Sequence, residues 1–113
     1  MQKTLDIVLN KGLKFMYRII DDRASGKTSR LMLLAKENNA DFICSNPHAM
    51  ETKAHAYGIV GINFISYYDY LNSMRGEEEH PVVIDELEMF LKYMITFNDG
   101  KSKLIGYTLN TGD

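Results

Sequence analysis

Short β-prone apolar runs alternate along this chain with segments of helical spacing, and that alternation limits the fold more than any other feature. The runs are Phe15-Met16-Tyr17-Arg18-Ile19-Ile20, Asp41-Phe42-Ile43-Cys44-Ser45, Ile62-Asn63-Phe64-Ile65-Ser66, Pro81-Val82-Val83-Ile84 and Lys103-Leu104-Ile105-Gly106-Tyr107-Thr108. Between them Leu31, Leu34 and Ala35 recur at helical spacing from Lys27 to Asn38, as do Leu87, Phe90, Leu91 and Met94 further on. Asn46 and Pro47 mark a helix start reaching about Tyr57, and Ser66 suits the cap of a short helix beginning at Tyr67. Parallel neighbours require crossover connections, so these elements predict an α/β domain of three layers around a central, mostly parallel five-stranded sheet.

Ahead of the first run, Leu5, Ile7, Val8 and Leu9 read as one or two amphipathic helical turns stopped by Asn10 and Gly12, a helical appendage over residues 1–14. A length of 113 residues with 45% hydrophobic content fits a single domain spanning 1–113 with its own core.

Thirteen basic against fifteen acidic residues, a formal charge of −2, give no global footprint for nucleic acid or an anionic membrane. Cys44 is the single cysteine, which excludes an internal disulfide framework and points to the cytoplasm. No run approaches the roughly 18 apolar residues of a membrane span, and the first residues lack the pattern of a secretory leader, so no membrane association is expected.

The chemistry concentrates in two places. Ser25-Gly26-Lys27-Thr28 falls between an expected strand and an expected helix. There, backbone N–H groups at the helix start can surround phosphate oxygens, Gly26 permits close approach, Lys27 adds positive charge and Thr28 offers a hydroxyl to a metal ion. Val82-Val83-Ile84 delivers Asp85 and Glu86 to the C-terminal end of a buried strand, where open α/β sheets bind ligands. Asp85 is placed to hold Mg²⁺, and Glu86 to activate water as the catalytic carboxylate. Taken singly, Thr28 or Ser25 is a helix cap and Asp85-Glu86 a favourable helix-start charge; together they predict a nucleotide site.

With these two motifs the chain resembles the P-loop NTPases, and within them the RecA-like first domain of helicases and phage terminases. The likeness runs from Phe15 to Asp113. It is also similar to short P-loop proteins of bacteriophages and mobile elements that carry an Arg-x-Ser-Gly-Lys-Thr loop and an Ile-Asp-Glu-Leu strand. The resemblance implies ATP as the nucleotide, a phosphate loop of Arg23, Ala24, Ser25, Gly26, Lys27, Thr28 and Ser29, and a γ-phosphate sensor at Thr108 or Asn110. It also implies that any arginine finger comes from a protein partner or from a second copy in a homo-oligomer. One position departs: the pattern opens with Gly five places before Gly26, whereas Asp21 stands here, followed by Asp22. Carboxylates near a polyphosphate repel it unless they turn away or Arg23 offsets them.

The expected function is therefore Mg²⁺-dependent binding of a nucleoside triphosphate, with slow hydrolysis allowed but not required. The alternative is a non-catalytic interaction module on the same scaffold, such as a phage regulator or an inhibitor of a host protein. His48, Glu51 and His55 share a helix face, yet read best as surface residues. Tyr67, Tyr68 and Tyr70 read as core and rim rather than a base-stacking platform, and a nucleic-acid surface has no support beyond scattered Arg and Lys. Cys44 reads as a buried strand residue.

Overall fold

The structure, a computed structural model, describes residues 4–9, 15–20, 26–73 and 79–109. It is a mixed α/β domain in which three parallel strands and four helices are ordered as β3 (Asp41–Cys44), α2 (Pro47–Ala56), β4 (Phe64–Ser66), α3 (Tyr67–Asn72), β5 (Val82–Ile84) and α4 (Leu87–Asp99), preceded by α1 (Lys27–Asn38). The spatial order is β4-β3-β5, so the chain steps outward from β3 to β4 and then crosses back over β3 to reach β5. Register pairs Phe42 with Phe64 and Val83, and Ile43 with Ile65 and Ile84.

Strand alternation sorts these side chains into two cores. Phe42, Cys44 and Val83 join Met32 and Ala35 of α1, Ala54 of α2, and the loop residues Ala40 and Ile59 on one face. Ile43 meets Tyr67 of α3 and Phe90 of α4 on the other, with Ile65 and Ile84 beside them. All four residues of β3 are buried, and its apolar run Phe42-Ile43-Cys44 is what a strand covered on both faces requires. Phe42 and Met32 are fully buried, and burial of side chains this size contributes about 1.5–3 kcal/mol each. Edge-to-face ring contacts fix each side, Phe42 with Phe64 at 5.1 Å and Tyr67 with Phe90 at 5.3 Å between centroids.

Local signals position the helices. Asn46 accepts a hydrogen bond from the Ala49 amide at 3.1 Å with Pro47 in the first turn, and Ser66 accepts from the Asp69 amide at 3.0 Å. Asn39 and Gly100 close α1 and α4 in the left-handed conformation that suits Asn and Gly.

Two expectations are corrected. The N-terminal segment is not helical: β1 (Thr4–Leu9) is a strand, paired antiparallel with β2 (Phe15–Ile20) from Thr4↔Ile20 to Leu9↔Phe15. Ile7 and Val8 are β-branched and prefer a strand once a partner is present. As a result β2 belongs to this separate two-stranded sheet rather than to the parallel one. The second correction concerns residues 103–108, which form no strand. The Asp99 carboxylate accepts hydrogen bonds from the amides of Lys101 and Ser102 at 2.8 Å, turning the chain back along α4, and Tyr107 then donates to Glu88 Oε1 at 3.0 Å. Among the described residues the parallel sheet thus has three strands and not five.

Candidate functional site

The C-terminal ends of β3 and β5 lie side by side, because Ile43 pairs with Ile84 and the Asp85 amide donates to the Ile43 carbonyl at 2.9 Å. The alternation Val83, Ile84, Asp85 turns the Asp85 side chain to the α1–α2 face. Asp85 is only 8% exposed, and among the described residues no donor hydrogen-bonds its carboxylate. Burial pushes its carboxyl above the ordinary range; the charge of Glu86 pushes it further up, while Lys27 and Lys53 pull it down. An acid buried without donors costs stability unless a cation arrives.

Lys27 comes from the first position of α1. Its N-cap is Gly26, at φ 85° and ψ 17°, a left-handed conformation that favours glycine, and no side chain caps the helix. Ser29 Oγ instead donates back to the Gly26 carbonyl at 2.9 Å, and the Arg30 amide donates to that same oxygen at 3.1 Å. The amides of Lys27, Thr28 and Ser29 are those that a helix start leaves without intrahelical acceptors. A Cβ at Gly26 would stand in ordinary contact with Arg30 Nη1 and Ser29 Oγ at 3.7 Å, so it is the left-handed backbone rather than lack of room that favours glycine here. Thr28, half-buried, follows in the same turn.

Glu86 is exposed and caps α4 from φ 61° and ψ 67°, the left-handed region, again without a side-chain cap. The buried Tyr67 hydroxyl holds this turn, donating to the Asp85 carbonyl at 2.8 Å and lying 3.4 Å from the Glu86 carbonyl. Burial raises the Tyr67 phenol to about 12, with the Asp85, Cys44 and Glu86 charges adding to it. Burial likewise raises the Cys44 thiol to about 11, so Cys44 stays a neutral core group as expected.

A pattern emerges among the helix starts: α2 and α3 are capped by their own Asn46 and Ser66, whereas α1 and α4 have no side-chain cap. Thus Gly26, Lys27, Thr28, Ser29, Asp85 and Glu86 gather at one end of the sheet. Thr108 is exposed and sits next to Tyr107, which the Glu88 contact ties to the first turn of α4. Arg23, Ala24, Ser25 and Asn110 lie outside the described residues, as do Asp21 and Asp22. His48, Glu51 and His55 are exposed on α2, and among the described residues no three His, Cys, Asp or Glu side chains converge as metal ligands. Tyr67 is core, Tyr70 half-buried and Tyr68 exposed.

Two site residues escaped the sequence reading. Tyr67 was legible as core, but its hydroxyl partner depends on how α3 crosses the sheet. Lys53 could have been found from helix phase: Asn46-Pro47 sets the start of α2, Met50 and Ala54 mark its buried side, and Lys53 flanks that side.

Comparison of the chain with protein-family models, with curated proteins and with solved structures finds no match. No helix among the described residues is long and apolar enough to cross a membrane.

Proposed function

We propose that this chain is a P-loop-type protein that binds a nucleoside triphosphate with Mg²⁺. The observation that carries the reading is the uncapped, glycine-led start of α1, where the Lys27 charge pulls down the carboxyl of the buried Asp85. The donor set suits the group: amides and an ammonium for phosphate, a hydroxyl and a carboxylate for a hard divalent ion. Bound Mg²⁺-nucleotide would supply an electrophilic terminal phosphoryl. The chain's own residues would do the rest. The amides of Lys27, Thr28 and Ser29 bind phosphate oxygens, the Lys27 ammonium neutralises charge, and Thr28 Oγ1 and the Asp85 carboxylate hold the metal. Exposed Glu86 is free to orient a water and accept its proton on a carboxylate oxygen. ATP is preferred over other nucleotides on resemblance alone, and the five-stranded RecA-like sheet remains part of that resemblance. A phage or mobile-element origin and action in the host cytoplasm rest on the same likeness.

Isothermal titration tests the binding. Wild type should bind Mg²⁺-ATP and Lys27→Ala should lose it; no heat from the wild type sinks the reading. Phosphate release compared with Glu86→Gln then tests turnover.

One observation favours a second reading, a non-catalytic interaction module: β2, the strand leading to the Gly26 turn, pairs with β1 instead of extending the parallel sheet. Binding without phosphate release, together with capture of one defined protein partner, would support it.

A further inference from the structure

We propose that Tyr67 is a positioning residue of this site: its hydroxyl locks the turn at Asp85-Glu86 and so directs the Glu86 side chain out of the core. The catalytic consequence rests on the nucleotide-site reading above; the hold on the turn does not.

Strand geometry alone would send Glu86 elsewhere. Side chains alternate along β5, so an extended position 86 falls on the face of Ile84, beside Ile43, Tyr67 and Phe90. A carboxylate there would lose water among apolar groups, which is costly. Instead the backbone turns left-handed at Glu86, with φ 61° and ψ 67°, and the residue is exposed. Glutamate does not favour that region, so the surroundings must hold it there.

Tyr67 fits that role by position and by chemistry. β4 ends at Ser66, which pairs with Cys44, and α3 begins at the next residue under the Ser66 cap, so no loop separates Tyr67 from the sheet. From this edge strand the side chain crosses β3 over Ile43 and reaches the end of β5 on the other side. Ring contacts with Phe90 at 5.3 Å and Tyr93 at 5.8 Å between centroids fix it, and the residue is 4% exposed. Its hydroxyl donates to the Asp85 carbonyl at 2.8 Å, with the Glu86 carbonyl 3.4 Å away. Those carbonyls belong to the two peptide groups on either side of the Glu86 Cα, so one hydroxyl bears on both of its dihedrals. The Glu86 carbonyl also accepts the Phe90 amide at 3.0 Å, which ties the turn to α4. A carboxylate that orients water works only when it is held in place, and this hydroxyl supplies the hold.

The test that needs no ligand is amide hydrogen exchange by nuclear magnetic resonance in wild type, Tyr67→Phe, and Tyr67→Phe combined with Glu86→Gly. Phenylalanine keeps the ring and removes only the donor. The Phe90 amide should exchange about tenfold faster in Tyr67→Phe, while the Met94 amide one turn along α4 changes less than about threefold. Glycine at position 86 holds a left-handed turn unaided and should return Phe90 exchange to within about threefold of wild type. Equal acceleration at Phe90 and Met94, or no change at either, makes the hydroxyl a core hydrogen bond only and overturns the proposal. With Mg²⁺-ATP, Tyr67→Phe should keep its titrated affinity within about threefold and lower phosphate release about tenfold, and added to Glu86→Gln it should lower release no further. Equal losses of affinity and release, or full additivity, overturn the catalytic consequence. Wild type that binds ATP without releasing phosphate overturns it too, whereas wild type that binds no ATP sinks the nucleotide reading and leaves the exchange result to decide the role of Tyr67.

Discussion

Replacing Glu86 by glycine should stabilise the protein, although it deletes the proposed catalytic carboxylate. Glu86 sits at φ 61° and ψ 67°, where a side chain crowds the following carbonyl. An L-residue held there costs about 1–2 kcal/mol, which glycine recovers. Against that, glycine adds unfolded-state freedom costing about 0.5–1 kcal/mol. The lost charge near the α4 start costs about 0.3–0.5 kcal/mol, partly offset by relief of its repulsion on Asp85. The Tyr67 hydrogen bonds go to main-chain carbonyls, so they survive the change. Taking the middle of each range, the net is a gain of about 0.3–0.5 kcal/mol, or roughly 1–3 °C in melting temperature for a domain of this size. Glu86→Ala is the control, since it removes the same carboxylate but keeps a Cβ. Urea unfolding followed by far-ultraviolet circular dichroism should order the variants Gly above Ala. If Glu86→Gly is no more stable than Glu86→Ala, the left-handed turn stores no strain and the reasoning fails. Asn39→Gly offers a second comparison: Asn tolerates the same region, so its gain should be smaller.

Asp85 predicts an unusual pH dependence. Its folded carboxyl titrates above its unfolded value, so the native state holds its proton more tightly, and this residue's contribution to stability falls as pH rises from about 4 through the folded pKa. Asp85→Asn should therefore raise the melting temperature at pH 7 by a few degrees, flatten the pH profile and lose Mg²⁺-dependent nucleotide binding; a lower melting temperature at pH 7 with an unaltered profile would contradict the burial argument. Cys44, 1% exposed with a thiol raised to about 11, should react with a disulfide reagent at pH 8 at least about a hundredfold more slowly in the folded protein than in urea. Rapid labelling of the folded chain would show that β3 opens readily.

Much of the domain was legible because its signals are local. The Lys27–Asn38 helix, the Asn46-Pro47 start, the Ser66 cap and the apolar strand ending in Asp85 each declare themselves within a few residues, and the structure places them so. What failed depended on distant partners. Leu5, Ile7, Val8 and Leu9 satisfy a short helical pattern as well as a strand pattern, and only pairing with residues 15–20 decides between them. Residues 103–108 have the composition of a strand, but the Asp99 turn and the Tyr107–Glu88 contact lay them beside α4 instead. At the site, residue types and spacing exposed the Gly26 turn and Asp85-Glu86. The hold of Tyr67 on that turn is a product of packing, which no linear spacing encodes.

At the far end of the sheet another aspartate offers a useful contrast. Asp41, 8% exposed at the start of β3, accepts a hydrogen bond from Asn63 Nδ2 at 3.0 Å and pairs with His80 Nε2. The chain thus carries two aspartates of equal burial on or beside adjacent strands, one clasped by its neighbours and one without a donor among the described residues. Nature has in effect built a reference beside its own probe: in carbon-13 spectra of carboxyl-labelled protein, any general change in folding or solvent moves both signals. A ligand seated between Lys27 and Asp85 moves one alone.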